Sequence, residues 1–179
     1  ILKIALTGTS CKKKDHQIIL KNAISNNHKL SFYLYGDKTK YANYILDTFS
    51  HLNLNFVDSS VKSLEEFVKS VDILLVQNKF EGFCRPIMTG LLENKLVIAP
   101  KAQIYQEFFR DAITYYEGYA SLIVIFRNLI SNKSYYKNYL KINNKNRNQI
   151  IELINNNSIK SRSLYLDTIS KNLKYQNDL

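Results

Sequence analysis

Tryptophan is missing from this chain, methionine occurs once, at Met88, and only two cysteines, Cys11 and Cys84, stand among its 179 residues. Two cysteines so spaced make neither a disulfide framework nor a metal-binding motif, so reduced thiols are expected. The three histidines fall into no cluster with carboxylates, and no metal is expected. No apolar run reaches the roughly 18 residues of a membrane-spanning helix, and the start of the chain lacks a signal-peptide pattern. A soluble chain is expected. No Gly-x-Gly-x-x-Gly follows a strand pattern, which leaves the common dinucleotide fingerprint without support.

What is present is a chain long enough to bury a core, 45% hydrophobic and free of long polar tracts. One folded domain is the expectation. The formal net charge is +10, a balance that suits nucleic acid, an anionic membrane surface or a phosphorylated ligand. Lysine dominates that charge and asparagine is abundant throughout, as an AT-rich genome writes by drift. No interleaved arginine and aromatic platform occurs, so nucleic acid is not an expected partner. The chain runs from Ile1 directly into a strand pattern, without an initiating methionine. A domain excised from a longer protein is therefore expected.

Strand-like and helix-like runs alternate along the chain. Strands are expected from Leu2 to Thr7, Leu30 to Tyr35, Leu54 to Val57, Asp72 to Val76, Leu96 to Ala99 and Ala112 to Tyr116. Between them lie a helix with Ile18, Ile19, Ala23 and Ile24 as its apolar positions, and one from Lys38 to His51 with Tyr41, Tyr44, Ile45 and Phe49 on one face. Ser63-Leu64-Glu65-Glu66 has the order of a capping box and opens a third. Later helices are expected from Lys101 to Arg110 and from Tyr119 to Ile130, the second burying Leu122, Ile125, Phe126 and Leu129. Such alternation predicts an α/β fold with a Rossmann-like parallel sheet of about six strands between two helical layers, plus C-terminal helices. From Ser131 the composition shifts to Asn and Lys, with Tyr135, Tyr136, Tyr139 and Ile142 at helical intervals. Asn143-Asn144 and Asn155-Asn156-Asn157 read as caps or interruptions.

Two stretches could carry chemistry. Gly8-Thr9-Ser10-Cys11-Lys12-Lys13-Lys14 sets a glycine, small hydroxyl residues and a lysine cluster between a strand and a helix, an arrangement suited to phosphate. The second is Glu81-Gly82-Phe83-Cys84-Arg85-Pro86, which joins a buried strand to a helix with proline in its first turn. Backbone N–H groups there would face a ligand at the carboxyl end of the sheet, with the Glu81 carboxylate at the mouth of the loop.

The second stretch resembles the signature of the retaining, nucleotide-sugar-dependent glycosyltransferases of the GT-B type, typified by glycogen synthase and bacterial polysaccharide transferases. Their C-terminal halves carry Pro-Ser-x-x-Glu-Gly-Phe-Gly-x-Pro-x-x-Glu, then a helix, then Pro-Val-Ile-Ala. Glu81, Gly82, Phe83, Pro86, Gly90 and Val97-Ile98-Ala99 fall in that register, and Gln77-Asn78 stand where the family has Pro-Ser. The resemblance implies the strand order 3-2-1-4-5-6. It also implies that Glu81 holds the donor sugar and that Lys14, beside Gly8, meets the donor pyrophosphate. Gly36 would lie beside the nucleotide, with Thr9, Gly82, Phe83 and Cys84 completing the substrate loops. Glu107 stands where many members have a Glu after the fifth strand and is read as structural.

Three departures bear on the residues that would hold the donor. Thr89 replaces the second Glu, which binds the ribose hydroxyls in the family, and losing such a bond costs roughly 1.5–3 kcal/mol. Glu93, one helical turn further on, is the candidate substitute, a solvated surface residue otherwise. Thr9 replaces an arginine and Asp15 a glycine in the phosphate loop.

On this resemblance, residues 1–131 form the nucleotide-sugar-binding domain and 132–179 are C-terminal helices packed on it. The implied activity is a hexosyltransferase-like transfer, retaining and independent of metal. No Asp-x-Asp motif is present to recruit a divalent ion, and no cofactor is expected. The donor is a nucleotide-sugar; a glycan or lipid acceptor would reach it through an N-terminal domain outside this chain. The implied location is cytoplasmic, with peripheral contact of the complete protein at the inner face of a membrane. The departures also suit a second reading, a degenerate domain that serves as a binding or scaffolding module.

Overall fold

The structure, a computed structural model, describes residues 1–7, 15–23, 29–78 and 84–177, with side chains described as far as residue 157 apart from those at 23, 133 and 154. Its strands are β1 (Leu2–Thr7), β2 (Leu30–Gly36), β3 (Leu54–Asp58), β4 (Ile73–Leu75), β5 (Leu96–Pro100) and β6 (Thr114–Tyr116). Between them run α1 (His16–Ala23), α2 (Lys40–Thr48), α3 (Leu64–Lys69), α4 (Arg85–Leu92) and α5 (Gln103–Phe109). A 3-10 turn at Arg110–Ala112 precedes β6, and α6 (Tyr119–Ser131) and α7 (Lys133–Asn177) follow it. The described strands form one six-stranded sheet, parallel throughout, in the order β3-β2-β1-β4-β5-β6.

The sheet is covered on both faces, which is why β4 and β5 are apolar without interruption. Ile4 and Leu6 of β1, Ile73 and Leu75 of β4, and Ile98 of β5 join Ile19 and Leu20 of α1, Ile45 of α2 and Leu122, Ile125, Phe126 and Leu129 of α6. The alternate positions Ala5, Leu74, Val97 and Ala99 face Phe67 and Val68 of α3, Ile87 and Leu91 of α4, and Tyr105 and Phe109 of α5. The period of two along each strand thus divides the helices between two layers. The fold is the three-layer Rossmann-like α/β/α arrangement expected from the sequence.

Three local expectations are corrected. In α1 the buried positions are His16, Ile19 and Leu20, while Ile18 is 41% exposed, so the helix presents a different arc to the sheet. Ile24 lies outside the described residues. In α2 Ala42 and Ile45 are buried, as is the C-cap Phe49, whereas Tyr44 is exposed and its hydroxyl accepts from Gln17 Nε2. The third concerns Asn143-Asn144, where α7 continues without a break. Asn143 is buried, and its Nδ2 donates to Asp111 O at 3.2 Å while its Oδ1 accepts from Thr114 Oγ1 at 3.3 Å. A residue that caps helices in other settings here satisfies the backbone ahead of β6.

The route of α7 follows from its partners. Tyr136 Oη donates to Asp72 O, just before β4, and Arg147 Nη1 donates to Asn94 Oδ1, just before β5. Tyr136 and Tyr139 pack against one core and Ile150 belongs to the other. The helix therefore crosses the amino-terminal edge of the sheet, leaving the opposite edge uncovered by its described side chains.

Candidate functional site

In an open parallel sheet, ligands bind beyond the carboxyl ends of the strands, at the point where the strand order reverses. Here the reversal lies between β1 and β4, which are neighbours although two strands separate them in sequence. Thr7, Gly36, Asp58 and Gln77 end or follow β1, β2, β3 and β4 and so share that edge.

Each strand end has its own local device. Gly36 has φ of 152°, a conformation that side-chain-bearing residues rarely adopt. Its carbonyl accepts from Ser59 N at 3.1 Å, and the neighbouring Asp37 Oδ1 accepts from Ser59 Oγ. Asp58 turns the chain after β3 by accepting from Ser60 N at 2.8 Å and Ser60 Oγ at 2.7 Å, and these bonds hold its carboxyl below the usual carboxylate range. The β2 and β3 loops are therefore fixed to each other before any ligand arrives.

At the start of α1, Asp15 has φ of 52°. A left-handed residue is a natural place for glycine, and Asp is among the side chains that tolerate it. Its carboxylate Oδ2 accepts from Tyr119 Oη at 2.6 Å, tying the entry of α1 to the first residue of α6. Burial, then the bond to Asp15, raises the Tyr119 hydroxyl, and burial together with the charge of Asp15 raises that of Tyr116.

Helix α4 begins with Cys84 as its N-cap, buried and without a side-chain hydrogen bond to the helix, and proline lies in its first turn. Proline removes one unpaired N–H and leaves the remaining first-turn amides without a side-chain cap. Thr89 Oγ1 donates to Arg85 O at 3.1 Å, within its own helix. With Ser63, Leu64, Glu65, Arg85 and Met88 it lines a groove of about 350 Å³ between α3 and α4. Glu93 closes the other end of α4 and pairs with Lys69 at 3.7 Å. The structure brings Thr89 to the groove and keeps Glu93 away from it. Glu107, for its part, accepts from Gln103 Nε2 on the surface of α5.

Gly8, Thr9, Lys14, Glu81, Gly82 and Phe83 lie outside the described residues, as does Cys11. Their neighbours are placed: Thr7 and Asp15 flank the first segment, and Asn78 and Cys84 the second. Both flanks belong to the β1 and β4 side of the carboxyl edge, so the two sequence motifs leave the sheet at adjacent strands. Among the described residues no group of His, Cys, Asp and Glu is arranged to hold a metal ion, and no helix is long and apolar enough to cross a membrane.

Sequence reasoning missed Arg85 and Glu65, which line the groove, and Gln77, a buried amide beyond β4. Only Gln77 carried a signal, as a polar residue following an apolar strand.

A doubly wound Rossmann-like fold is what sheet order, layers and reversal point define, and solved glycosyltransferases share it. HepE of Anabaena in complex with UDP-glucose superposes with a TM-score of 0.73 at 15% identity, over 91% of this chain and 48% of that one. The C-terminal domain of LpcC from Francisella tularensis, a glycosyl transferase group 1 family protein, gives 0.65 at 17% identity over 80% of this chain and 83% of that one. A glycosyltransferase from Rickettsia africae gives 0.68 at 17% identity, over 85% and 43%. The chain thus spans about half the length of HepE. No family model matches the sequence, and no curated protein matches it.

Proposed function

We propose that this chain is the nucleotide-sugar-binding half of a glycosyltransferase that passes a sugar to a glycan or lipid acceptor. The observation that carries the reading is the agreement of fold over 91% of the chain with HepE, whose structure holds UDP-glucose. Consistent with it, the Lys-rich and Glu81-bearing segments leave the sheet at β1 and β4, the neighbours that flank the reversal point.

In this reading Lys14 and first-turn amides of α4 stabilise the charge that develops on the leaving diphosphate, and Glu81 holds the sugar. Gly8, Thr9, Gly36, Gly82, Phe83 and Cys84 let the backbone approach the donor, and Thr89 stands at the ribose position. Transfer proceeds with retention and without a metal. The acceptor site and the remaining catalytic groups belong to a further domain, so this chain alone binds the donor without turning it over. The complete protein acts in the cytoplasm, peripherally at the inner face of a membrane.

A panel of nucleoside diphosphates and their sugars, titrated by calorimetry, tests this. Saturable binding of one base is expected, weakened for every ligand by Lys14→Ala and for the sugar-bearing ligand alone by Glu81→Ala. Absence of saturable binding at millimolar concentration would refute it. One observation favours a second reading, a module that keeps the fold without catalysis: the Thr89 hydroxyl donates to its own helix, where a carboxylate would accept from ribose.

A further inference from the structure

We infer that Glu65 holds the ribose of the donor nucleotide: its carboxylate accepts from the neighbouring 2′ and 3′ hydroxyls across the groove between α3 and α4. The assignment rests on the donor-domain reading. Glu65 lines that groove of about 350 Å³ together with Leu64, Arg85, Met88 and Thr89. It is exposed, and among the described residues it has neither a hydrogen bond nor an ion pair. The carboxylates near it are already engaged. Glu66 is turned back onto its own cap, accepting from Ser63 N at 3.1 Å and Ser63 Oγ at 2.9 Å. Glu93 is drawn to Lys69, the last residue of α3.

The register of the two helices places the ribose. Lys69 pairs with Glu93 at 3.7 Å, and Glu65 and Thr89 each stand four residues earlier on their own helix. Residues four apart share a helix face, so Glu65 and Thr89 meet one turn back, at the groove. In the donor reading the diphosphate lies at the first turn of α4, and ribose is the next group of a nucleotide. Thr89 is one turn on from Arg85, to whose carbonyl its Oγ1 donates, and a turn rises about 5.4 Å. The ribose therefore falls beside Thr89, with Glu65 on the facing wall.

The chemistry agrees with the placement. A carboxylate only accepts, through two oxygens side by side. A diphosphate has no proton to give it and is repelled. The flat face of a base suits Leu64 and Met88, the apolar part of the lining. A vicinal diol offers two O–H donors next to each other, and bonds to a charged acceptor are roughly twice as strong as neutral ones. Thr89, whose hydroxyl donates within its own helix, brings no charge to that diol. A base edge that donated to Glu65 would do so with or without the ribose hydroxyls, which separates the two partners.

Calorimetric titration of the chain, of Glu65→Ala and of Glu93→Ala with UDP, GDP and ADP and with their 2′,3′-dideoxy counterparts decides the matter. For the base that binds, the parent should favour the ribose form by about tenfold or more. Glu65→Ala should lose about tenfold for that form and change by less than about twofold for the dideoxy form. Because Glu65 is exposed, the variant should fold as the parent does. Glu93→Ala should bind both forms as the parent does. Equal weakening of both forms by Glu65→Ala, unchanged or tighter binding of both, or a parent that does not distinguish them would overturn the assignment and leave the donor reading in place. A selective loss in Glu93→Ala instead of Glu65→Ala would do the same. Failure of the parent chain to bind any of these nucleotides would refute the donor reading, and the assignment with it.

Discussion

The hydroxyl of Tyr119 donates to Asp15 Oδ2 at 2.6 Å, joining the residue that opens α1 to the residue that opens α6 across 104 positions of sequence. Asp15 holds φ of 52°, so one residue carries both an unfavourable backbone angle and the bond that offsets it. Tyr119→Phe should lower stability by about 1–2 kcal/mol in urea unfolding, the range for a hydrogen bond to a charged acceptor at a partly exposed site. Asp15→Gly should cost less, because glycine relieves the angle while losing the same bond. A larger loss for Asp15→Gly than for Tyr119→Phe would show that the angle carries no strain.

Gly90 marks where α4 lies closest to the sheet. A Cβ built there would stand 2.6 Å from Val97 Cγ2 and 3.0 Å from Leu74 Cδ2. Valine is stiff at χ1 and cannot swing aside. Gly90→Ala gains roughly 0.5–1 kcal/mol of helix propensity, while overpacking costs roughly 1–3 kcal/mol. A net loss of about 1 kcal/mol is expected, read from the urea midpoint at constant slope. Gly90→Ser should lose more.

Alkaline pH should unfold the protein through its tyrosines. Tyr35, Tyr115, Tyr116, Tyr119 and Tyr136 all have hydroxyls raised above the ordinary value of 10.0, burial being the largest cause in each. A folded pKa above the unfolded one means that the native state keeps protons the unfolded chain releases. The stability from these groups is fully present below pH 10 and falls as pH rises through the raised values. Urea midpoints should therefore be level on the neutral side and decline above about pH 10, with tyrosinate absorbance appearing together with loss of structure. Titration of all tyrosines near pH 10 in the folded protein would contradict this.

Much of the fold was legible because the signals were local and long. The run of Asp72 to Val76 has no polar interruption, and β4 occupies its centre. The capping box at Ser63 and Glu66 appears in the structure with both reciprocal bonds. Leu122, Ile125, Phe126 and Leu129 repeat at helical spacing, and all four are buried in α6. What escaped the sequence depends on partners far along the chain. Ile18 and Ile19 are equally apolar, and only the arc set by the sheet and α6 decides which is buried. Nothing local tells that Glu93 meets Lys69, or that the amide of Gln77 is buried without a partner.

Asn143 shows the same limit and gives a further prediction. Its two side-chain bonds, to Asp111 O and from Thr114 Oγ1, lie in a buried position on α7. Asn143→Leu favours the helix, yet it strands one carbonyl and one hydroxyl. The second effect should win, with a loss of about 1–3 kcal/mol in urea unfolding. Asn143→Asp should also destabilise, because a carboxylate cannot donate to Asp111 O. An unchanged midpoint in Asn143→Leu would mean that water takes over both partners.

The course of α7 separates two kinds of selection. Its described anchors, Tyr136, Asn143, Arg147 and Ile150, meet residues that precede β4, β5 and β6 or belong to the cores. The girdle that holds the sheet together is thus at the rim opposite the carboxyl ends of the strands. Substitutions at the carboxyl rim can accumulate without loosening the girdle, and repairs to the girdle leave the carboxyl rim untouched. Thr89 and Asp15, two of the positions where the chain departs from the pattern it resembles, both lie outside that girdle.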